Sequence, residues 1–202
     1  MSRVPAWIAA ALCAALTPPG LLAQTAAAAD APGAAPTAAA LPLATRRVPA
    51  SAEECVVWRR EQSFASSVEA HDAAAFAAHL HEGTVFNAGA AEAERGRPAV
   101  VQGWADIVEG RKLQLRWRPG IVQIAGEPNI ALSRGPYILQ TGSGPATAYR
   151  VGFYQTVWTR AAAGVSWQVL YDGSASTPQK METRDAADAW VREQAMSDCA
   201  TS

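Results

Sequence analysis

The chain carries little charge of either sign: 17 Lys+Arg stand against 18 Asp+Glu in 202 residues, and neither kind is clustered. A nucleic-acid footprint needs a basic stripe or patch, so that class of partner is excluded. Long apolar runs are missing too. A membrane span needs about 20 apolar residues in succession, and only the N-terminus comes near. There are three histidines and three cysteines, too few and too scattered for a metal-ligand pattern. Internal repeats, phosphate-cradling glycine loops, nucleophile elbows and Cys–His pairs are all absent. What remains is an ordinary globular composition, half apolar, long enough for one domain with a full core and something left over.

The surplus lies at the N-terminus. Arg3 precedes the short apolar run from Trp7 to Leu16, which Pro18, Pro19 and Gly20 break. Small-residue cleavage sites follow at Leu21-Leu22-Ala23 and Ala27-Ala28-Ala29. This reads as a signal peptide over residues 1–29, with an uncleaved short anchor as the alternative. Leu12 stands before Cys13 where a lipoprotein would have a small residue. Residues 30–50 are Ala- and Pro-rich with almost no large side chains, the composition of a flexible linker. The protein is therefore expected to be periplasmic or secreted, with no membrane association after cleavage. Cys55 and Cys199 then bracket the folded region. In an oxidising compartment they suggest one bridge; two free thiols, or pairing with another chain, are the alternatives.

Ser51 and Glu54 form a capping-box pattern, and Val57, Phe64 and Val68 recur on one stripe, so a helix is expected over 51–70. Glu61 falls inside that stripe. It is either an edge residue reaching water or a buried carboxylate that needs partners. Asp72 caps a second short helix with Phe76, His79 and Leu80 on its inner face, and Gly83 ends it. A short strand, 84–87, follows. Arg97-Pro98 opens a third helix, which Gly110 stops. From Leu113 the pattern changes to period two: Leu113, Leu115 and Trp117 alternate with polar residues. Strands are expected over 113–117, 121–125, 130–140, 148–160 and 165–172, with a bend at Pro119-Gly120. Short connections make them an antiparallel meander. Residues 51–178 form this domain, and 179–202 a helical tail bearing Trp190.

The order and spacing of three groups of residues carry a resemblance. They are the run from His79 to Phe86, then Arg95-Gly96-Arg97-Pro98-Ala99-Val100, then Gly152 to Arg160 with Gly164 and Trp167 to Asp172. Together they make the chain similar to the NTF2-like superfamily, in its SnoaL-like and DUF4440 branch. The resemblance implies an α+β cone, with three N-terminal helices packed on a curved antiparallel sheet around a pocket. It also implies a small-molecule ligand and a homodimer. Members include isomerases, dehydratases, hydrolases and polyketide cyclases, and others that only bind, so the fold leaves activity open.

Isomerase-like members place a catalytic carboxylate just after the Thr-Val pair of the first strand. This chain has Asn87 there, which can hydrogen-bond an oxygen but cannot remove a proton. Three candidates for acid–base chemistry remain. Asp172 closes the last strand and matches the family's terminal Asp; it either works at the cone mouth or locks the strand end. His79 is either a proton partner or a satisfied core histidine. Glu61 is the third. His79 and His81, two apart on one helix, would point to opposite sides, so no metal site is expected, and no cofactor either. Along the long strand Gly152, Tyr154, Thr156 and Trp158 share one face. With Trp117 and Tyr137 they would make an aromatic ligand pocket, or plain core packing. The expected function is binding of a small apolar or aromatic molecule, with a cofactor-independent lyase or isomerase, or a dimerisation module, as alternatives.

Overall fold

A computed structural model describes residues 51–87, 92–111, 113–124, 126–196 and 198–199. The expected signal peptide and linker lie outside them. In chain order the elements are α1 (Ala52–Glu69), α2 (Ala73–His79), β1 (Leu80–Phe86), β2 (Glu94–Arg95), α3 (Arg97–Val108), β3 (Leu113–Trp117), β4 (Ile121–Ile124), β5 (Ile130–Thr141), β6 (Ala148–Thr159), β7 (Gln168–Ser174), β8 (Gln179–Met181) and α4 (Arg184–Gln194). Among the described residues no helix is long and apolar enough to cross a membrane.

The capping box at α1 forms in both directions: Glu54 N–H donates to Ser51 Oγ at 3.1 Å and Ser51 N–H to Glu54 Oε2 at 2.7 Å. The other oxygen of Glu54 accepts from Ile124 N–H at 3.0 Å, so the cap also fixes the helix start to β4. Asp72 caps α2, accepting from Ala75 N–H at 2.9 Å.

The eight strands make one curled sheet in the order β2-β1-β7-β6-β5-β3, with β4 also on β5 and β8 on β6. Three features differ from the sequence reading. First, α2 ends at His79, before the expected stop at Gly83. Leu80 is already paired with Val169, and sheet pairing outweighs the helical reading of a short apolar segment. His81 therefore lies on a strand. Second, β1 and β7 run parallel, with Phe86 opposite Asp172, so the sheet is mixed instead of wholly antiparallel. Third, the tail begins with a strand, β8, whose Met181 pairs with Tyr149, before α4 starts. β7 also sits later than expected, at 168–174 instead of 165–172.

The expected bend between β3 and β4 is real. Trp117 pairs with Tyr137 and Ile121 with Arg134, so both strands lie along β5 with 118–120 as the kink. The kink requires glycine on both sides: a Cβ on Gly120 would sit 2.6 Å from Arg134 O, and one on Gly135 would collide with Arg118 O.

Along β6 the two faces separate cleanly. Tyr154, Thr156 and Trp158 face α1. Val151 packs on the opposite side with Ile138, Ala187 and Val191, under α4, where Trp190 meets Phe153 at 5.2 Å. On the concave side Phe64 is the hub, with ring centroids 5.4 Å from Phe76, 5.2 Å from Trp117 and 6.0 Å from Trp158. Cys55 and Cys199 are bridged, their Cα atoms 5.6 Å apart, which ties the tail to the first turn of α1.

Candidate functional site

Glu61 is the centre of the concave side. It is 0% exposed, which decides between the two readings of its place in the α1 stripe. Both carboxylate oxygens are taken: Trp117 Nε1 donates to Oε1 at 2.7 Å and Trp158 Nε1 to Oε2 at 2.8 Å. The hydroxyls of Ser133 and Thr156 lie near the same carboxylate and help to hold its charge. The register explains the convergence, since Ser133 and Thr156 are opposite one another on β5 and β6.

From Glu61 the network runs in two directions. Ser133 Oγ lies 3.3 Å from Tyr154 Oη. On the other side Thr156 Oγ1 is 2.6 Å from Asp172 Oδ2, across the β6–β7 pair. Five polar side chains thus gather in one cluster: Tyr154, Ser133, Glu61, Thr156 and Asp172. Asp172 itself is half-buried.

The electrostatics follow from burial. Desolvation pushes the Asp172 carboxyl well above the usual carboxylate range, and the neighbouring Glu61 charge pushes it further. Desolvation also raises Glu61, opposed first by the Trp117 and Trp158 N–H groups. Tyr154 is held well above the usual phenol value, by burial first and then by Glu61. Two carboxylates in one dry network do not both ionise readily. Two indole N–H groups hold Glu61 and one hydroxyl holds Asp172, so the desolvation of Asp172 is the less compensated of the two. Thr156 Oγ1 donates to Asp172 Oδ2, so among the described residues the other carboxyl oxygen of Asp172 has no hydrogen-bond partner.

The other sequence candidates fall in different places. Tyr137 is buried on the same concave face, farther along β5, with its Oη packed against Gly152 so closely that a Cβ there would be 2.7 Å away. Asn87 has φ 54°; its backbone N–H donates to Asp172 O at 2.9 Å and its amide to Glu94 Oε2 at 3.3 Å. His79 stands apart. Its Nδ1 is 2.6 Å from Ala75 O, its Nε2 is 3.1 Å from Ser63 Oγ, and its ring lies 5.4 Å from Phe64. Burial takes its pKa down to about 4, so the imidazole is neutral and Nδ1 carries the proton toward the Ala75 carbonyl. Among the described residues no hydrogen bond joins it to Glu61 or Asp172, and no group of three or more His, Cys, Asp or Glu side chains is set to hold a metal. Sequence reasoning put Thr156 on the proposed pocket face but gave it no role, and passed over Ser133. A hydroxyl within a strand carries no signal until the register shows what lies across from it.

No family model matches the chain, and no curated protein matches it in sequence. Solved structures do match its fold. A ketosteroid isomerase-like protein from Erwinia carotovora atroseptica has a TM-score of 0.51 at 13% identity, with 62% of this chain and 98% of that one covered. A candidate scytalone dehydratase from Novosphingobium aromaticivorans gives 0.51 at 11%, with 64% and 87% covered. A conserved protein from Planctomyces limnophilus gives 0.52 at 14%, with 64% and 98% covered. At these identities the likeness is one of fold. The chain shares the α+β cone fold of these structures, and Glu61 and Asp172 lie within it.

Proposed function

We propose that the protein binds a small, mainly apolar or aromatic molecule in the cone, and that a protonated Asp172 donates a hydrogen bond to its one polar oxygen. The observation that supports this is the half-buried Asp172, held by Thr156 beside the buried polar cluster around Glu61. Apolar walls with few polar groups suit such a ligand. Tyr137 extends the aromatic wall. The Cys55–Cys199 bridge supports placing the protein in an oxidising compartment outside the cytoplasm.

A second reading is favoured by the Thr156 hydroxyl. Once Asp172 has given its proton to a substrate oxygen, the hydrogen bond from Thr156 Oγ1 stabilises the carboxylate that remains, which makes Asp172 a usable general acid. This is the isomerase or lyase reading, with Asp172 as the acid and Glu61 as the charge behind it.

Both readings are tested with a naphthyl ketone as probe, followed by quenching of tryptophan fluorescence. Affinity in the wild type should fall as pH rises through the Asp172 pKa. In Asp172→Asn, whose amide donates at every pH, affinity should stay flat and near the low-pH wild-type value. Asp172→Leu should bind about tenfold more weakly, the loss of one good hydrogen bond. Identical pH profiles in wild type and Asp172→Asn would exclude Asp172 as the donor. Under the catalytic reading, Asp172 protonates the ketone oxygen while solvent water takes the neighbouring C–H proton, so deuterium exchange there disappears in Asp172→Asn while binding persists.

A further inference from the structure

The outward side of α1 carries a second cleft that the carboxylate network does not use. It encloses about 500 Å³ between Val56, Arg59, Arg60 and Ser63 of α1, Arg160 just past β6, and the segment from Gly164 to Trp167. Its charges do not balance. The three arginines face one carboxylate, Glu53, which is already engaged by Arg160 and by Trp167 Nε1. Arg160 is further occupied by stacking on Trp167, with its guanidinium carbon 4.5 Å from the ring centroid.

Arg60 is the anomaly. It is half-buried, yet its hydrogen bonds go to neutral acceptors, Trp167 O at 3.1 Å and Ala78 O at 3.3 Å. Among the described residues no carboxylate pairs with it, nor with Arg59. Cations withdrawn from water are ordinarily paired. An independent feature marks the same place. Three large apolar residues are exposed among those described, and two of them, Val56 at 41% and Val165 at 48%, line this cleft.

From this uncompensated charge beside exposed apolar surface, we infer that the cleft binds a small organic anion, a carboxylate or phosphate monoester on an apolar body. Arg59 and Arg60 hold the charged group, and Val56 and Val165 carry the body. The cleft also reports inward. Ser63 Oγ, on its wall, holds His79 Nε2 at 3.1 Å. The charge of Arg60 adds to burial in keeping His79 at about 4. An anion on Arg60 offsets that repulsion, so occupancy raises the His79 pKa without touching the ring.

Phenyl phosphate is the probe, with inorganic phosphate and benzyl alcohol as controls, followed by amide and imidazole NMR shifts. The expected result is saturable shifts at Arg59, Arg60, Ser63 and Val165, with the His79 pKa moving up. Phenyl phosphate should bind at least about fivefold more tightly than inorganic phosphate through its apolar ring. Arg59→Gln, at an exposed residue without partners, should fold normally and bind about tenfold more weakly. The Asp172→Asn variant should bind the probe as the wild type does, which separates this cleft from the cone. No saturation below about 10 mM, a potency of inorganic phosphate equal to that of phenyl phosphate, or unchanged binding in Arg59→Gln would each overturn the inference.

Discussion

Replacing Glu61 by alanine is expected to destabilise the protein by about 3–5 kcal/mol, because two buried indole N–H groups lose their acceptor at once. Trp117 and Trp158 are 5% and 0% exposed, so water cannot easily replace the carboxylate, and the lost side chain leaves a void beside Phe64. Part of the cost is offset, since a desolvated charge disappears as well. Glu61→Gln should cost less, about 1–3 kcal/mol, because its oxygen still serves one indole while its NH₂ opposes the other. Urea unfolding midpoints measure both. An alanine variant within about 1 kcal/mol of wild type would show that the indole bonds do not hold α1 to the sheet.

The second large effect concerns the Cys55–Cys199 bridge. It closes a sequence separation of 144 residues, which on the chain-entropy model is worth up to about 5 kcal/mol through the unfolded state. Cys55 is wholly buried on α1, so Cys199→Ser is the cleaner variant: it removes the crosslink and leaves the helix face intact. The oxidised wild type should be about 3–5 kcal/mol more stable than Cys199→Ser, and adding reductant to the wild type should bring the two together. Equal unfolding curves for oxidised wild type and Cys199→Ser would contradict this. The bridge also ends near Met196, whose N–H donates to Pro119 O at 3.2 Å, so loosening should appear first in α4 and the β3–β4 kink.

Much of the fold is legible in the residues because local chemistry determines it. Ser51 with Glu54, Asp72, and Arg97-Pro98 mark helix starts by supplying caps or a preset φ. Period-two alternation marks β3 and β6. What pairing decides is not legible: the early start of β1 at Leu80, the short edge strand β8, and the parallel β1–β7 contact all depend on partners distant in sequence. The site divides the same way. Alternation puts Tyr154, Thr156 and Trp158 on one face, but which face looks toward α1 is set by the sheet's curl and by α4 covering Val151. That Glu61 meets two indoles, and that Thr156 lies between Glu61 and Asp172, requires contacts across 56, 97 and 16 residues of sequence. Asn87 illustrates the converse. Its amide is turned to Glu94 by a left-handed backbone that the sequence position alone does not reveal.

The protonation state of Asp172 is the claim on which the functional reading stands, and its sign can be read in stability. A carboxyl raised in the folded state binds a proton that the unfolded chain has released. Its contribution is therefore complete below about pH 4 and is lost as pH rises toward the folded pKa, by about 1.4 kcal/mol per pH unit. His79 acts oppositely: its contribution is present above about 6.5 and is lost as pH falls toward about 4. Above that range the downward slope belongs to the carboxylates. The most direct measurement is a ¹³C titration of the Asp172 carboxyl in the folded protein. We predict a carboxyl that titrates well above the usual carboxylate range, and a lower pKa for it in Glu61→Gln, where the neighbouring charge is gone. A carboxyl that titrates near 3.8, unmoved by Glu61→Gln, would contradict the account.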